Sequence, residues 1–205
     1  SLKGAGATKT TVNFQNSFFG LVDATNAVVE GIKLVNSSTF GSRSTVLLES
    51  SGARIKNCTI SGGYYGVYVG FNSQRPASNS EISQNIIVNN STGIRIWSDA
   101  LNITVYNNTI AFNNPYGGLA SHIATIIVEN NIITSNGYQF AVVEGLQPTF
   151  RYNNVYPGTP DVGYQGLPPQ TGINGNISTD PLFANASGAD YRLSAGSLCI
   201  DSGLD

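Results

Sequence analysis

One short unit recurs along this chain and restricts the folds open to it. It reads Gln84-Asn85-Ile86-Ile87, then Asn107-Asn108-Thr109-Ile110, Asn130-Asn131-Ile132-Ile133 and Asn153-Asn154-Val155-Tyr156, with its second residue at 85, 108, 131 and 154, a constant step of 23. A fixed step of this length marks a repeat architecture. Each unit is preceded by an alternating run (Ile103-Thr104-Val105-Tyr106, Thr125-Ile126-Ile127-Val128, Thr149-Phe150-Arg151-Tyr152) and followed further on by another (Gly93-Ile94-Arg95-Ile96, Gly118-Leu119-Ala120-Ser121, Phe140-Ala141-Val142-Val143). Period-two alternation in β-branched residues predicts strands, three per repeat with three corners between them. There is no leucine ladder for a leucine-rich repeat, and the step is too short for a propeller blade of roughly 40 residues.

Asn at a fixed corner has a physical reason. It tolerates the left-handed backbone region that a sharp corner needs, and its amide both donates and accepts. Asn57, Asn85, Asn108, Asn131 and Asn154 are therefore expected to stack as a ladder, with Cys58 at the second position of its own coil (Asn57-Cys58-Thr59-Ile60). Backbone bonds between coils about 4.8 Å apart would complete a parallel β-helix with apolar rows inside.

On these motifs the chain resembles the right-handed parallel β-helix proteins of the pectate-lyase-like superfamily, and most closely the secreted bacterial and archaeal type with N-N-x-I repeats. The resemblance spans nearly the whole chain. It implies an all-β, single-stranded, right-handed parallel β-helix of six to seven coils, with an irregular C-terminal cap. Aligning Ile32, Cys58 and Asn85 gives steps of 26 and 27, so the early coils are longer than those of 23. Residues 1–156 are expected to form the helix and 157–205 the cap. Ser1 to Val12 is similar to an early coil of that superfamily, in which a capping stretch commonly precedes it. This predicts a fragment, or a first coil covered by another segment or chain, since an open sheet edge invites association. Phe71 to Asn79 lacks periodicity and carries Pro76, so it reads as a protruding loop, with Tyr64, Tyr65 and Tyr68 just before it. After Tyr156 the rhythm stops in a stretch with Pro157, Pro160, Pro168 and Pro169. Asp180-Pro181-Leu182-Phe183, Asp190-Tyr191-Arg192-Leu193 and Ser197-Leu198-Cys199-Ile200-Asp201 then resemble the closing section of many secreted β-helix proteins.

Composition narrows the partners. Charged residues make up 11% of the 205-residue chain, well below the usual ~25%, and the net charge is −2. No electrostatic footprint for nucleic acid follows, and no run reaches the ~18 apolar residues of a membrane span. Cys58 and Cys199 read as free, buried thiols, with a pairing between them left open. No signal peptide is visible; a mature secreted domain reads the same. An extracellular or cell-surface location is the expectation, as the resemblance implies.

The step of 23 also places side chains. It puts Ile96, Leu119 and Val142 in one inward row, and sets Arg95, Trp97 and Asp99 of one coil beside Ala120 and His122 of the next on the outward face. Asp99 and His122 differ by 23 and are expected one coil apart, with Tyr68 aligned to Arg95 and Glu49 near Asp99. These residues have the ingredients of sugar chemistry. Trp97 and Tyr68 can stack on rings, Arg95 can hold a carboxylate, and His122 can act as a base oriented by Asp99. In a polyuronate lyase Arg95 would neutralise the carboxylate, His122 would take the adjacent proton and Tyr68 would serve as acid. Tyr68, Trp97 and Glu49 are the substrate-binding candidates; Arg95, His122 and Asp99 the catalytic ones. Against this stands a plainer reading, in which they are solvated positions on a face that must carry some polar residues.

The superfamily motifs do not settle the matter. Polygalacturonases carry paired Asp residues and a G-H-G, and neither occurs here. Arg54-Ile55-Lys56 matches their R-I-K but fits an ordinary strand. Calcium-dependent lyases need an acidic cluster that Asp99 and Glu49 alone do not make, and no close His/Cys set exists for zinc. No cofactor is expected, with calcium left open but without a ligand cluster to hold it. The Asn-x-Ser/Thr triplets at Asn36 and Asn102 arise readily in an Asn-rich chain. Two functions stay open: a module that binds or processes an extracellular polysaccharide, a uronic-acid polymer for example, and a non-catalytic structural, adhesin or surface-layer section. Whether the chain is an enzyme is left undecided. End-to-end self-association through the first coil is a third expectation.

Overall fold

The computed structural model describes residues 1–15, 17–37, 44–70, 77–97, 100–123, 125–143, 146–157 and 163–204. Three parallel sheets of seven strands each wrap around one apolar column. The first sheet contains Leu2–Lys3, Val28–Glu30, Arg54–Lys56, Glu81–Ser83, Ile103–Tyr106, Ile126–Glu129 and Thr149–Arg151. The second contains Thr11–Phe14, Lys33–Asn36, Thr59–Ser61, Ile86–Val88, Thr109–Ala111, Ile132–Thr134 and Asn154–Tyr156. The third contains Phe19–Val22, Ser44–Glu49, Tyr65–Val69, Thr92–Ile96, Gly117–Ser121, Phe140–Val142 and Tyr164–Gln165. Each strand pairs with its counterpart one coil away, which makes a β-solenoid of about six turns. Among the described residues there is no α-helix, only a single 3₁₀ turn at Ala186–Gly188.

Inward side chains stack in file. Ile55, Ile82, Val105 and Val128 follow one another in the first sheet, and Leu34, Ile60, Ile87, Ile110 and Ile133 in the second, all essentially without solvent exposure. β-Branched residues suit these rows because each packs against its own kind above and below on a pleated surface. The register steps in the first sheet are 26 and 27 in the early coils (Val29↔Ile55↔Ile82), 23 for the next two, and 22 from Val128 to Phe150.

The corner between the first and second sheets uses two adjacent residues for two tasks. The first bends the chain: Asn57, Gln84, Asn107, Asn130 and Tyr152 have φ between 52° and 57°, and Gly175 has φ 74°. The second fills the bend. Asn85, Asn108, Asn131, Asn153 and Asn176 form the ladder, each Nδ2 donating to the next Oδ1 at 3.0–3.2 Å. Two expected members are therefore displaced. Asn57 is a bending residue; Cys58 takes its coil's ladder position and its N–H donates to Asn85 Oδ1 at 2.9 Å. Asn154 is replaced by Asn153, because that coil is one residue shorter; Asn154 instead exchanges two 2.9 Å hydrogen bonds with the backbone of Thr179.

A second ladder at the next corner links Asn90, Asn113 and Asn136 and ends on Gln139 Oε1. It too follows left-handed residues, Asn89, Phe112 and Ser135. Its members at 90, 113 and 136 repeat the step of 23, so the signal for it is present in the sequence.

The solenoid pairing continues past Tyr156. Tyr164–Gln165 joins the third sheet, Asn176 joins the first ladder and Ile177 bridges to Asn154. The remaining tail folds back along the flank. Its antiparallel pair, Phe183–Asn185 and Asp190–Leu193, sets Tyr191 and Phe183 against Val88, Ala111 and Phe112 on the outside of the second sheet. Cys58 is buried and Cys199 half-buried, and both are free thiols. Among the described residues no helix is long and apolar enough to cross a membrane.

Candidate functional site

The third sheet carries the candidate residues, and its register decides which of them meet. Tyr68 pairs with Arg95, and Arg95 with Ala120 and then Ala141, as one outward row. The inward positions form two rows instead of one: Val67, Ile94, Leu119 and Phe140 in file, then Val69, Ile96, Ser121 and Val142. Ile96, Leu119 and Val142 are all buried, but Leu119 belongs to the neighbouring row. The cause is a compensated shift. Val88 to Ile94 and Thr134 to Phe140 are six residues each, whereas Ala111 to Leu119 is eight. The two extra residues at the Asn113–Tyr116 corner advance the third-sheet strand, and the shorter 122–125 corner returns them. The local step from Thr92–Ile96 to the next strand is thus 25, not 23.

His122 consequently lies beside Trp97. Their rings are 4.4 Å apart between centroids and tilted by 38°. The expected partner Asp99 lies outside the described residues, as do 71–76 of the expected loop. Glu49 is buried and falls in the row of Gly70, Trp97 and His122, two coils before Trp97.

Around Arg95 the outward face is aromatic. Its guanidinium carbon is 5.2 Å from the Trp97 ring centroid, within the range of a cation–π contact. Tyr65 packs on Tyr68 at 4.6 Å and on Tyr64 at 4.8 Å, and Tyr64 reaches Tyr116 at 5.4 Å. Tyr138 lies over Gly117, where a β-carbon would be 2.5 Å from its ring, so the glycine admits the aromatic. The register brings Tyr68, Arg95, Trp97 and His122 onto one surface; sequence reasoning missed Tyr116 and Tyr138, which come from corner segments with no strand periodicity to place them.

The electrostatics of this surface follow from partial burial beside one cation. Burial, and then the Arg95 charge, hold the His122 imidazole below its ordinary range, so it is neutral at pH 7. Burial pushes the Tyr68 phenol up, against the pull of Arg95. Burial also raises Tyr138, again opposed by Arg95. A hydrogen bond with Tyr116, and burial, push Tyr64 up to about 12. Arg95 makes no ion pair among the described residues, and its Nε is buried with no hydrogen-bond partner. Leaving a buried donor unsatisfied costs about 1–3 kcal/mol, more for a charged group.

Contrast the outside of the first sheet. There Glu30 bridges Lys3 and Lys56 at 3.3 and 3.6 Å, Glu81 meets Arg54 at 3.7 Å, and Glu129 meets Arg151 at 3.1 Å. Those charges are paired across coils, although Glu30 Oε2 is buried without a hydrogen-bond partner. Among the described residues no group of three His, Cys, Asp or Glu could hold a metal ion.

Chemically, the Arg95 surface offers flat aromatic area, one cation for a carboxylate, a neutral imidazole and protonated phenols. No curated protein matches the chain. Residues 44–176, well over half its length, match the family described as "Right handed beta helix region". Together with three parallel sheets coiled around one core, that match places the chain in the right-handed β-helix family.

Proposed function

We propose that the protein binds an acidic polysaccharide, a uronic-acid polymer being the best fit, on the outward face of the third sheet, and that it does so outside the cell. The observation carrying this reading is Arg95: a guanidinium set in aromatic surroundings, with a buried donor left unsatisfied and no carboxylate partner among the described residues. A sugar carboxylate supplies the missing acceptor in two-point geometry, while Trp97 and Tyr68 take the ring faces. Calorimetry with uronic-acid oligomers tests it. Binding is expected to the native chain, with a loss of about tenfold or more in Arg95→Ala and in Trp97→Ala. No binding to any uronic-acid oligomer would overturn it and favour a purely structural section of solenoid.

A lyase reading has one specific observation behind it: His122 is held in its base-competent form beside Arg95. In that reaction His122 removes the proton next to the carboxylate that Arg95 neutralises. The freed electron pair forms a carbon–carbon double bond and expels the glycosidic oxygen, which takes a proton from Tyr68. The unsaturated product absorbs in the ultraviolet. Rising absorbance that His122→Gln abolishes would make the protein an enzyme; binding without any rise makes it a binding module.

A further inference from the structure

The tail returns across the corner between the first and second sheets and is clasped there by one side chain. Asn130 Nδ2 donates to the Leu204 carbonyl at 2.8 Å, and its Oδ1 accepts the Leu204 N–H at 2.9 Å. Within the turn before it, Ser202 Oγ donates to the Cys199 carbonyl at 2.9 Å. Between tail and corner lies a cavity of about 260 Å³. Asn107, Asn130 and Tyr152 line it from the solenoid; Cys199, Asp201 and Ser202 line it from the tail. The Tyr152 ring is fixed on Gly175, where a β-carbon would come within 2.4 Å of it.

The lining is chemically specific. The Asn107 amide, the Tyr152 hydroxyl and the Asp201 carboxylate make no side-chain hydrogen bond among the described residues, and the three residues line one small space. A sugar hydroxyl donates and accepts at once. A carboxylate beside a primary amide answers both functions on neighbouring hydroxyls, and an aromatic ring covers a C–H face. The volume suits a single ring, just below the usual range of ligand pockets. Among the described residues no Lys or Arg lines the cavity, so the Asp201 charge faces no compensating cation from them there. It discriminates against a uronate, opposite to the preference of the Arg95 face.

We propose that this cavity is a second sugar site, built by the tail and selective for an uncharged pyranose, a monosaccharide or the end of a neutral chain. It does not depend on the function assigned to the Arg95 face. Saturation-transfer NMR with glucose, galactose, N-acetylglucosamine and galacturonate tests it. At least one neutral sugar is expected to bind in the millimolar range, with galacturonate weaker by about tenfold. Asn107 and Asp201 both have left-handed backbones, φ 55° and 54°, so Asn107→Gly and Asp201→Asn preserve the local conformation. Asn107→Gly should weaken the neutral sugar by about tenfold, and Asp201→Asn should erase the discrimination against galacturonate. Arg95→Ala should leave neutral-sugar binding unchanged, which separates this site from the other. The proposal is overturned if none of the neutral sugars binds, or if the double variant, with melting behaviour intact, binds them as the native chain does.

Discussion

At each corner between the first and second sheets, the cost of a sharp bend and the cost of burying polar backbone fall on neighbouring residues. The ladder residue carries far more. Asn108 Nδ2 donates to Asn131 Oδ1 at 3.0 Å and to the carbonyls of Ile82 and Tyr106 at 2.8 and 2.9 Å, while its Oδ1 accepts from Asn85 N and Nδ2. Alanine there strands several buried groups at once, so Asn108→Ala is expected to cost about 3–4 kcal/mol. Asn107→Ala loses only tolerance of φ 55°, an expected cost of about 1 kcal/mol. Urea denaturation of the two variants measures the difference; equal losses would contradict the division of labour. His122 allows a second test at this scale. Its folded-state pKa lies below the ordinary 6.5, so as pH falls through that value the unfolded chain takes up a proton before the folded one. Stability contributed by the neutral imidazole is present above pH ~6.5 and is lost as pH falls from there through the folded pKa. Glu81 loses its contribution only lower: burial acts to raise its carboxyl, but bonds from Ser83 and Tyr106 and the nearby Arg54 outweigh it and bring it below 4.5. Melting temperature against pH should therefore decline less for His122→Gln than for the native chain between about pH 6.5 and 5. Parallel curves would remove His122 from the account.

Among the elements, the third sheet is the one whose contents the sequence hides. The first two sheets were legible because their corners spell Asn at a readable interval, and because Ile87, Ile110 and Ile133 repeat at the same step. The third sheet breaks that step and repairs it within a single coil, two residues gained before Leu119 and two lost after Ser121. An interval counted from one Asn to the next is blind to this. Tyr68 opposite Arg95 was legible because both lie before the shift; His122 opposite Trp97 was not, because it lies within it. A glycine column marks where the same sheet leaves its corner. A β-carbon on Gly93 would lie 2.5 Å from the Gly118 carbonyl and 2.8 Å from Ile110, and one on Gly66 would lie 2.5 Å from the Gly93 carbonyl. The coils approach too closely there for any side chain, and the second Asn ladder lies alongside. Gly93→Ala is therefore expected to cost about 2–3 kcal/mol by overpacking, against near-neutrality for alanine at half-buried Gly163, where nothing lies within 4 Å of the added carbon among the described residues. Thermal melting of the two variants checks this; a Gly93→Ala protein as stable as the native one would mean that the coils can separate at that point.

For the whole molecule, the tail alters how the coils cooperate. In a plain solenoid each repeat touches only its neighbours, so stability is close to a sum of local terms and the stack can open from one place. Here the tail touches several coils. Tyr191 packs on Val88 and Ala111 of successive second-sheet strands, Thr179 is bonded to Asn154, and Leu204 to Asn130. Opening any one of these coils strains or releases a segment that the others also hold, and this couples their unfolding. Tyr191 is the largest apolar anchor of the brace, with only 9% of its surface exposed and Phe112 and Phe183 at centroid distances of 6.0 and 5.6 Å. Tyr191→Ala should cost about 3 kcal/mol locally, in line with aromatic truncations. Its more informative effect should be on the shape of the transition: a broader urea curve with a lower m-value, and protease cleavage within residues 178–204 before the solenoid unfolds. A curve shifted to lower urea with unchanged steepness, and a tail that resists protease until the coils melt, would mean that the solenoid is cooperative without its brace.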